Sequence, residues 1–337
     1  MIILFKISIY ITMDILNQSI IKNRKLKLVT LKNYNRIYSR LMKEIGISNV
    51  EIFLNSNVKV LEIIKTKKIS SQATILSAMI VGMESYSLDQ EPDYSSSIVI
   101  YRNYMKTILP IIEKEKYAQI KNETQDLNWT SWKDLQECNK NNRKAITRNI
   151  KRTDLNNSDL RAIQLWVISN LYTLSDENPP RRLDYKNIKI IKKKDFEKEH
   201  EADQNYLIIQ SVQKKYLYFA DFKTVKSTGI ISIPVGEALN KVLNEYLKIL
   251  KNNEIGNDYL LFNNQGKPIG DQMNVLLGEA FAPTGKAVTV NLIRHIYLSE
   301  NADKWSLAKR KEISKLMSHS LETQLTYSKV GPTPSSP

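Results

Sequence analysis

One cysteine and three histidines in 337 residues leave little material for disulfide or metal chemistry. Cys138 alone cannot close an intramolecular disulfide or build a cysteine-based zinc site, which suits a reducing, intracellular compartment. His200, His295 and His319 are too few for a metal-centred enzyme, and no carboxylates cluster at metal-ligand spacing. No metal or other cofactor is therefore expected, and each histidine becomes informative by itself. Nor does any apolar run reach the roughly 20 residues that span a bilayer. The opening run from Met1 to Thr12 lacks a basic stretch before it and a small-residue cleavage site after it, so it reads neither as a membrane span nor as a signal peptide. Met13 offers an alternative start, and the first twelve residues are assigned no role. Acidic residues are also in short supply. The 35 Asp and Glu stand against 50 Lys and Arg, a formal charge of +15 that makes a polyanion, nucleic acid first, the expected partner.

What is present reads as a two-domain globular chain, mainly α with a small antiparallel β-sheet. From about Thr30 to Met105 apolar residues recur at helical spacing: Leu31, Tyr34, Ile37, Tyr38 and Leu41, then Val58, Leu61 and Ile64. A third helix is expected to start near Ser70-Ser71 and carry Ile75, Leu76, Met79 and Ile80. A fourth carries Ile98, Val99, Tyr101, Met105, Ile108 and Leu109. Residues 1–27 read as an extension, 28–120 as a helical domain and 121–157 as a basic linker. In that linker Lys140, Arg143, Lys144, Arg148, Lys151 and Arg152 crowd together, and Arg143, Lys144 and Arg148 are candidate phosphate contacts. Residues 158–330 read as a second domain. It opens on a helix capped by Ser158 and ending before Pro179-Pro180. Four strands are predicted at Ile188–Ile191, Tyr206–Ile209, Tyr216–Phe219 and Gly229–Ile233. Helical periodicity returns from Leu239, and 331–337 form a Pro/Ser-rich tail.

The last forty-odd residues carry the chemistry: Val290-Asn-Leu-Ile-Arg-His-Ile-Tyr297, Ile313-Ser-Lys-Leu-Met-Ser-His-Ser320 and Leu321-Glu-Thr-Gln-Leu-Thr-Tyr327. In order and spacing these resemble the C-terminal signature of the tyrosine recombinases, the phage-type integrase family. Upstream, Asn178-Pro-Pro-Arg-Arg-Leu-Asp-Tyr185 resembles that family's first arginine box in the form found in large DNA viruses and mobile elements. Phe222-Lys-Thr-Val-Lys-Ser-Thr-Gly229 resembles its lysine hairpin.

The resemblance implies a two-domain clamp on double-stranded DNA, a core-binding domain over 28–120 and a catalytic domain over 158–330. It implies a covalent 3′-phosphotyrosine intermediate formed by Tyr327, without metal or ATP. Arg181 and Arg294 would stabilise the phosphate charge, His319 would donate to it or move the phenolic proton, and Lys223 would protonate the leaving oxygen. Arg182 is the alternative to Arg181 and otherwise a DNA contact; Lys226 stands in the same relation to Lys223. Asp184 would hold an arginine or the hairpin. The chemistry is coherent, because guanidiniums with fixed donors match the charge that a phosphodiester gathers in displacement. A homo-oligomer, a tetramer of two dimers on DNA, is the expected assembly.

Two departures bear on the site. Asn291 stands where the family usually has histidine, and an amide donates a hydrogen bond but moves no proton. The interval from His319 to Tyr327 is eight residues, one fewer than usual, and on a helix one residue is about 100° of rotation. The turn at Ser318-His319-Ser320 is expected to absorb the difference. His295 is expected to face away from the site as a structural residue. Two rival readings remain at this stage, a type IB topoisomerase with the same chemistry and a non-catalytic DNA-binding protein.

Overall fold

The computed structural model describes residues 14–89, 93–174 and 177–329, which divide into two compact units between Tyr117 and Ala118. Residues 1–12 and the tail 331–337 lie outside the described residues.

In the first unit a helix runs through residues 14–23 (α1). It is followed by α2 (Leu28–Ile45), α3 (Val50–Asn55), α4 (Asn57–Lys65), α5 (Ile69–Asp89) and α6 (Ser95–Tyr117). The four helices expected from periodicity correspond to α2, α4, α5 and α6. Ser70 and Ser71 fall inside the first turn of α5 rather than ahead of it. The expected extension is corrected over 14–23. Leu16 and Ile20, one turn apart on α1, are fully buried in the same core as Tyr38, Met42, Met79 and Met83. Truncating such a side chain leaves a cavity, so Ile20→Ala is expected to cost about 2 to 5 kcal/mol in chemical denaturation. A loss under about 1 kcal/mol would show that α1 is dispensable to this core. Helices α2 and α5 approach closely because residue 82 is glycine. Tyr38 Oη donates to the Ala78 carbonyl at 2.6 Å, and a Cβ on Gly82 would come within 2.8 Å of that hydroxyl.

The second unit begins with α7 (Glu123–Asn128) and α8 (Trp132–Ala145), then α9 (Asn157–Thr173). Each starts with a reciprocal capping box, Asn122 with Gln125, Ser131 with Asp134 and Asn156 with Asp159. Asn156, not Ser158, therefore caps α9, because its amide oxygen reaches the third helical N–H. The stretch 121–157, expected to run as a linker, instead folds as part of this unit. Leu135 and Cys138 of α8 are buried in its core alongside Ile163 and Val167 of α9.

Four strands follow, β1 (Lys189–Lys192), β2 (Tyr206–Ile209), β3 (Lys215–Phe219) and β4 (Ile231–Pro234), in the order 1-2-3-4. The expectation of an antiparallel sheet is corrected at its edge. Strand β1 pairs parallel to β2, Ile190 opposite Leu207, while β2–β3 and β3–β4 are antiparallel. Parallel neighbours need a crossover, and the chain supplies one through α10 (Lys193–Lys198). A short helix α11 (Val225–Thr228) lies between β3 and β4. The rest is helical: α12 (Glu237–Asn252), α13 (Met273–Ala280), α14 (Val290–Asn301), α15 (Leu307–Leu316) and α16 (Leu321–Tyr327). Leu207, Leu217, Phe219 and Ile233 of the sheet share one core with Leu243 of α12, Leu277 of α13 and Ile293 of α14. The fold is thus mainly α with a small mixed sheet. Among the described residues no helix is long and apolar enough to cross a membrane.

Candidate active site

Three segments from distant parts of the second unit converge: the loop Pro180–Asp184 after α9, helix α14, and the turn joining α15 to α16. Arg181 and Arg294 are 1 % and 0 % exposed, an unusual fate for arginine that demands partners. Arg181 Nε donates to Asp184 Oδ2 at 2.9 Å, and its Nη atoms donate to the Leu316 carbonyl and to Ser318 Oγ, the latter at 2.7 Å. The rings of Phe219 and Phe222 flank its guanidinium, 4.0 and 5.2 Å from its centre. Burial pushes the Asp184 carboxyl up, and the guanidiniums of Arg181 and Arg294 pull against that. Asp184 thus holds the arginine three residues before it.

Arg294 Nη1 donates to the carbonyls of Pro180 (3.0 Å) and Met317 (3.4 Å), and its Nη2 meets His319 Nδ1 at 2.9 Å. An arginine only donates, so Nδ1 accepts and the proton of the neutral imidazole sits on Nε2. Both that Nε2 and Arg294 Nε are buried without a hydrogen-bond partner. Burial first, then Arg294, Arg182 and Arg181, push the His319 pKa down to about 3.

The turn that delivers His319 is tight. Ser318 adopts φ 57°, Ser318 N–H donates to the Lys315 carbonyl and His319 N–H to Ser314 at 3.0 Å. This is a Schellman closure of α15 with serine in the left-handed position that glycine favours. Ser320 immediately caps α16 through the Thr323 N–H. The chain reverses within three residues, and Tyr327 closes α16 with its ring 5.6 Å from the His319 ring and nearly parallel to it.

Tyr327 is 7 % exposed. Its ring lies 4.9 Å from the Arg294 guanidinium, and Arg182 Nη2 donates to its hydroxyl at 3.3 Å. Burial opposes ionisation of this phenol, yet Arg294 and Arg182 more than offset it and hold the pKa below the ordinary tyrosine value. His295 does not face away. Its Nδ1 donates to the Tyr327 carbonyl at 2.8 Å and its ring lies 4.6 Å from the tyrosine ring. Adjacent residues on a helix diverge by about 100°, but Tyr327 is broad enough to meet both Arg294 and His295.

The structure thus brings together Arg181, Arg182, Asp184, Arg294, His319 and Tyr327. Lys223 and Lys226 are exposed on the segment between β3 and β4. Lys223 is flanked by site contacts on both sides, Phe222 at Arg181 and Thr224, whose Oγ1 donates to the Ser318 carbonyl at 3.2 Å. Asn291 is exposed at the start of α14, one turn before Arg294. Of the basic residues before α9, Lys144 and Arg148 are exposed. Arg143 is instead engaged within the unit, paired with Glu245 at 2.7 Å and 5.5 Å from the Trp166 ring, because it ends α8 beside α9 and α12. Sequence reading missed two supports. Ser318 holds Arg181, and buried Asn205 bonds the Asp184 and Asp221 carbonyls and the N–H groups of Ala220 and Asp221, tying the arginine loop to the lysine segment. A lone Asn before a strand and a Ser in a turn carry no signal that separates them from ordinary loop residues. Among the described residues no three His, Cys, Asp or Glu side chains come together as a metal-binding group.

No family model matches the chain, and no curated protein matches it. Among solved structures the chain is similar to a XerA recombinase, at a TM-score of 0.39 and 13 % identity over 95 % of this chain and 94 % of that one. At that level of likeness no chemistry follows, and the functional reading rests on the side chains.

Proposed function

We propose that this chain is a tyrosine-type DNA strand transferase, a site-specific recombinase or integrase of mobile-element or viral type. The observation that carries the reading is a buried tyrosine whose hydroxyl faces two arginines, beside a histidine with its remaining N–H unpartnered. A phosphodiester oxygen brought to the site would satisfy the Nε–H of Arg294 and the Nε2–H of His319, two buried donors that the fold leaves unpaired. Arg181 spends three of its five N–H groups on the protein. It serves as a fixed positive charge with its remaining donors available to the phosphate.

Tyr327 Oη attacks phosphorus, the bond to the 5′-oxygen breaks, and the 3′ end stays on the tyrosine, so the phosphate linkage is conserved in the adduct. Lys223 protonates the departing oxygen. Asp184 fixes Arg181, Asn291 offers an amide donor, and exposed Lys144, Arg148 and Lys226 meet the duplex backbone. Double-stranded DNA is the substrate, and copies of the chain act together on it as a tetramer of two dimers. The cycle draws on no metal ion and no ATP.

A nicked duplex that traps the covalent adduct tests the reading. The native chain is expected to form a protein–DNA band stable to denaturant, and Tyr327→Phe to form none. Absence of an adduct from the native chain across a panel of AT-rich duplexes, with DNA binding intact, would mean a non-catalytic DNA-binding protein.

A further inference from the structure

The site contains a nucleophile without a base suited to activate it. Asn291 moves no proton and is exposed. His319 offers Nδ1 only to Arg294 and presents an N–H, not a lone pair, on its other side. His295 uses Nδ1–H on the Tyr327 carbonyl, and burial, ahead of the opposing carbonyl bond, pushes its pKa down to about 4. Imidazoles that weakly basic accept a proton poorly near neutral pH, because transfer is efficient when the base is matched to the operating pH. The charged and titratable groups facing Tyr327 are Arg182 from the loop after α9, Arg294 and His295 from α14, and His319 from the preceding turn, while Lys329 just beyond α16 acts on His295. Two of these face the phenolic oxygen: Arg294, whose charge is the larger influence, and Arg182, whose Nη2 donates to it at 3.3 Å.

We infer that Arg182 is a catalytic residue that touches the reacting oxygen of Tyr327 and holds it as a phenolate, taking the place of a general base. This rests on the strand-transfer reading above and reassigns Arg182 from a DNA contact to the nucleophile. The phenolic proton leaves to solvent water before the chemical step. The phenolate oxygen then forms the bond to phosphorus, the electron pair of the breaking bond goes to the 5′-oxygen, and Lys223 supplies the proton that oxygen takes up. An arginine suits the task because it stays charged at every working pH and cannot itself take the proton back. It lies close enough for opposite charge to favour the ionised phenol.

The test has one arm without DNA. Phenolate absorbance of the native chain, minus that of Tyr327→Phe, isolates the titration of one tyrosine. It is expected below the ordinary tyrosine range and to move to higher pH in Arg182→Met, with Arg182→Lys in between. The second arm is adduct formation on the nicked duplex. Arg182→Met is expected to be slower by about tenfold at neutral pH and to recover toward the native rate as pH rises, since phenolate then forms unaided. A rate loss equal at every pH would make Arg182 a phosphate contact and overturn the inference, as would coincident Tyr327 titrations in the native and Met forms. If the titration shifts as expected but the native chain forms no adduct, the strand-transfer reading fails and the catalytic role fails with it, while the Arg182–Tyr327 contact stands.

Discussion

Arg294→Met is expected to slow covalent capture of a nicked duplex by on the order of a thousandfold, while moving the melting temperature by no more than about 5 °C. The two halves of that expectation have separate causes. Arg294 is fully buried, and its hydrogen bonds run to two carbonyls and an imidazole rather than to a carboxylate. Burying a charge so weakly compensated costs several kcal/mol, and burial accordingly lowers the arginine's own pKa, with Tyr327 and Asp184 opposing. Methionine has similar length and fills the space without that cost, which offsets the donors lost to Pro180, Met317 and His319. Function has no such substitute, because the unpartnered Nε–H and the charge under the Tyr327 ring both disappear. Thermal melting and adduct kinetics on the same preparation check the two halves. A variant that melts far below the native chain would make Arg294 a structural tie, and one that keeps near-native cleavage would remove it from the site.

Acid should destabilise the chain well above the pH at which carboxylates protonate. The folded pKa values of His319 and His295 lie at about 3 and about 4, below the ordinary value of 6.5. A group with a depressed folded pKa takes up protons in the unfolded state first, so its contribution is full above about pH 6.5 and drains away as pH falls toward the folded value. At pH 4.5 each histidine is expected to have cost on the order of 2 to 3 kcal/mol, a large share of the marginal stability of a domain. Urea denaturation at pH 7.5, 5.5 and 4.5 reads the loss directly, and His319→Gln should remove about half of it. Equal stability at pH 7.5 and 4.5 would mean that both rings are open to solvent, contrary to the burial from which the expectation comes.

The elements were largely legible because their periodicities are strong. Apolar residues at three- and four-residue spacing in Leu31–Leu41 can bury a face only as a helix, and the run Tyr216–Phe219, bounded by polar turns, reads as a strand. Misreadings arose where a local signal competed with a tertiary one. The linker reading followed the charge of 121–157 and missed that Leu135 and Cys138 share one helical face. The β1 strand looks like its antiparallel neighbours because hydrophobic pattern carries no direction, and only the α10 crossover reveals it. His295 was set aside because helical geometry turns it from Arg294, a sound rule that fails when one aromatic ring spans both.

By itself the sequence determined which chemistry was available: arginines at 181, 182 and 294, three histidines, a tyrosine at 327, a charge of +15 and little cysteine or histidine for metal. It also set which segments become helices and which become strands. Only the tertiary structure decided that Arg182 donates to the hydroxyl of Tyr327, that Ser318 takes a left-handed turn ahead of His319, and that His319 points an N–H and not a lone pair into the site. The physical reason is that these outcomes depend on contacts between residues 137 and 145 positions apart. Such contacts are fixed by how the helices pack, and local propensity is blind to them.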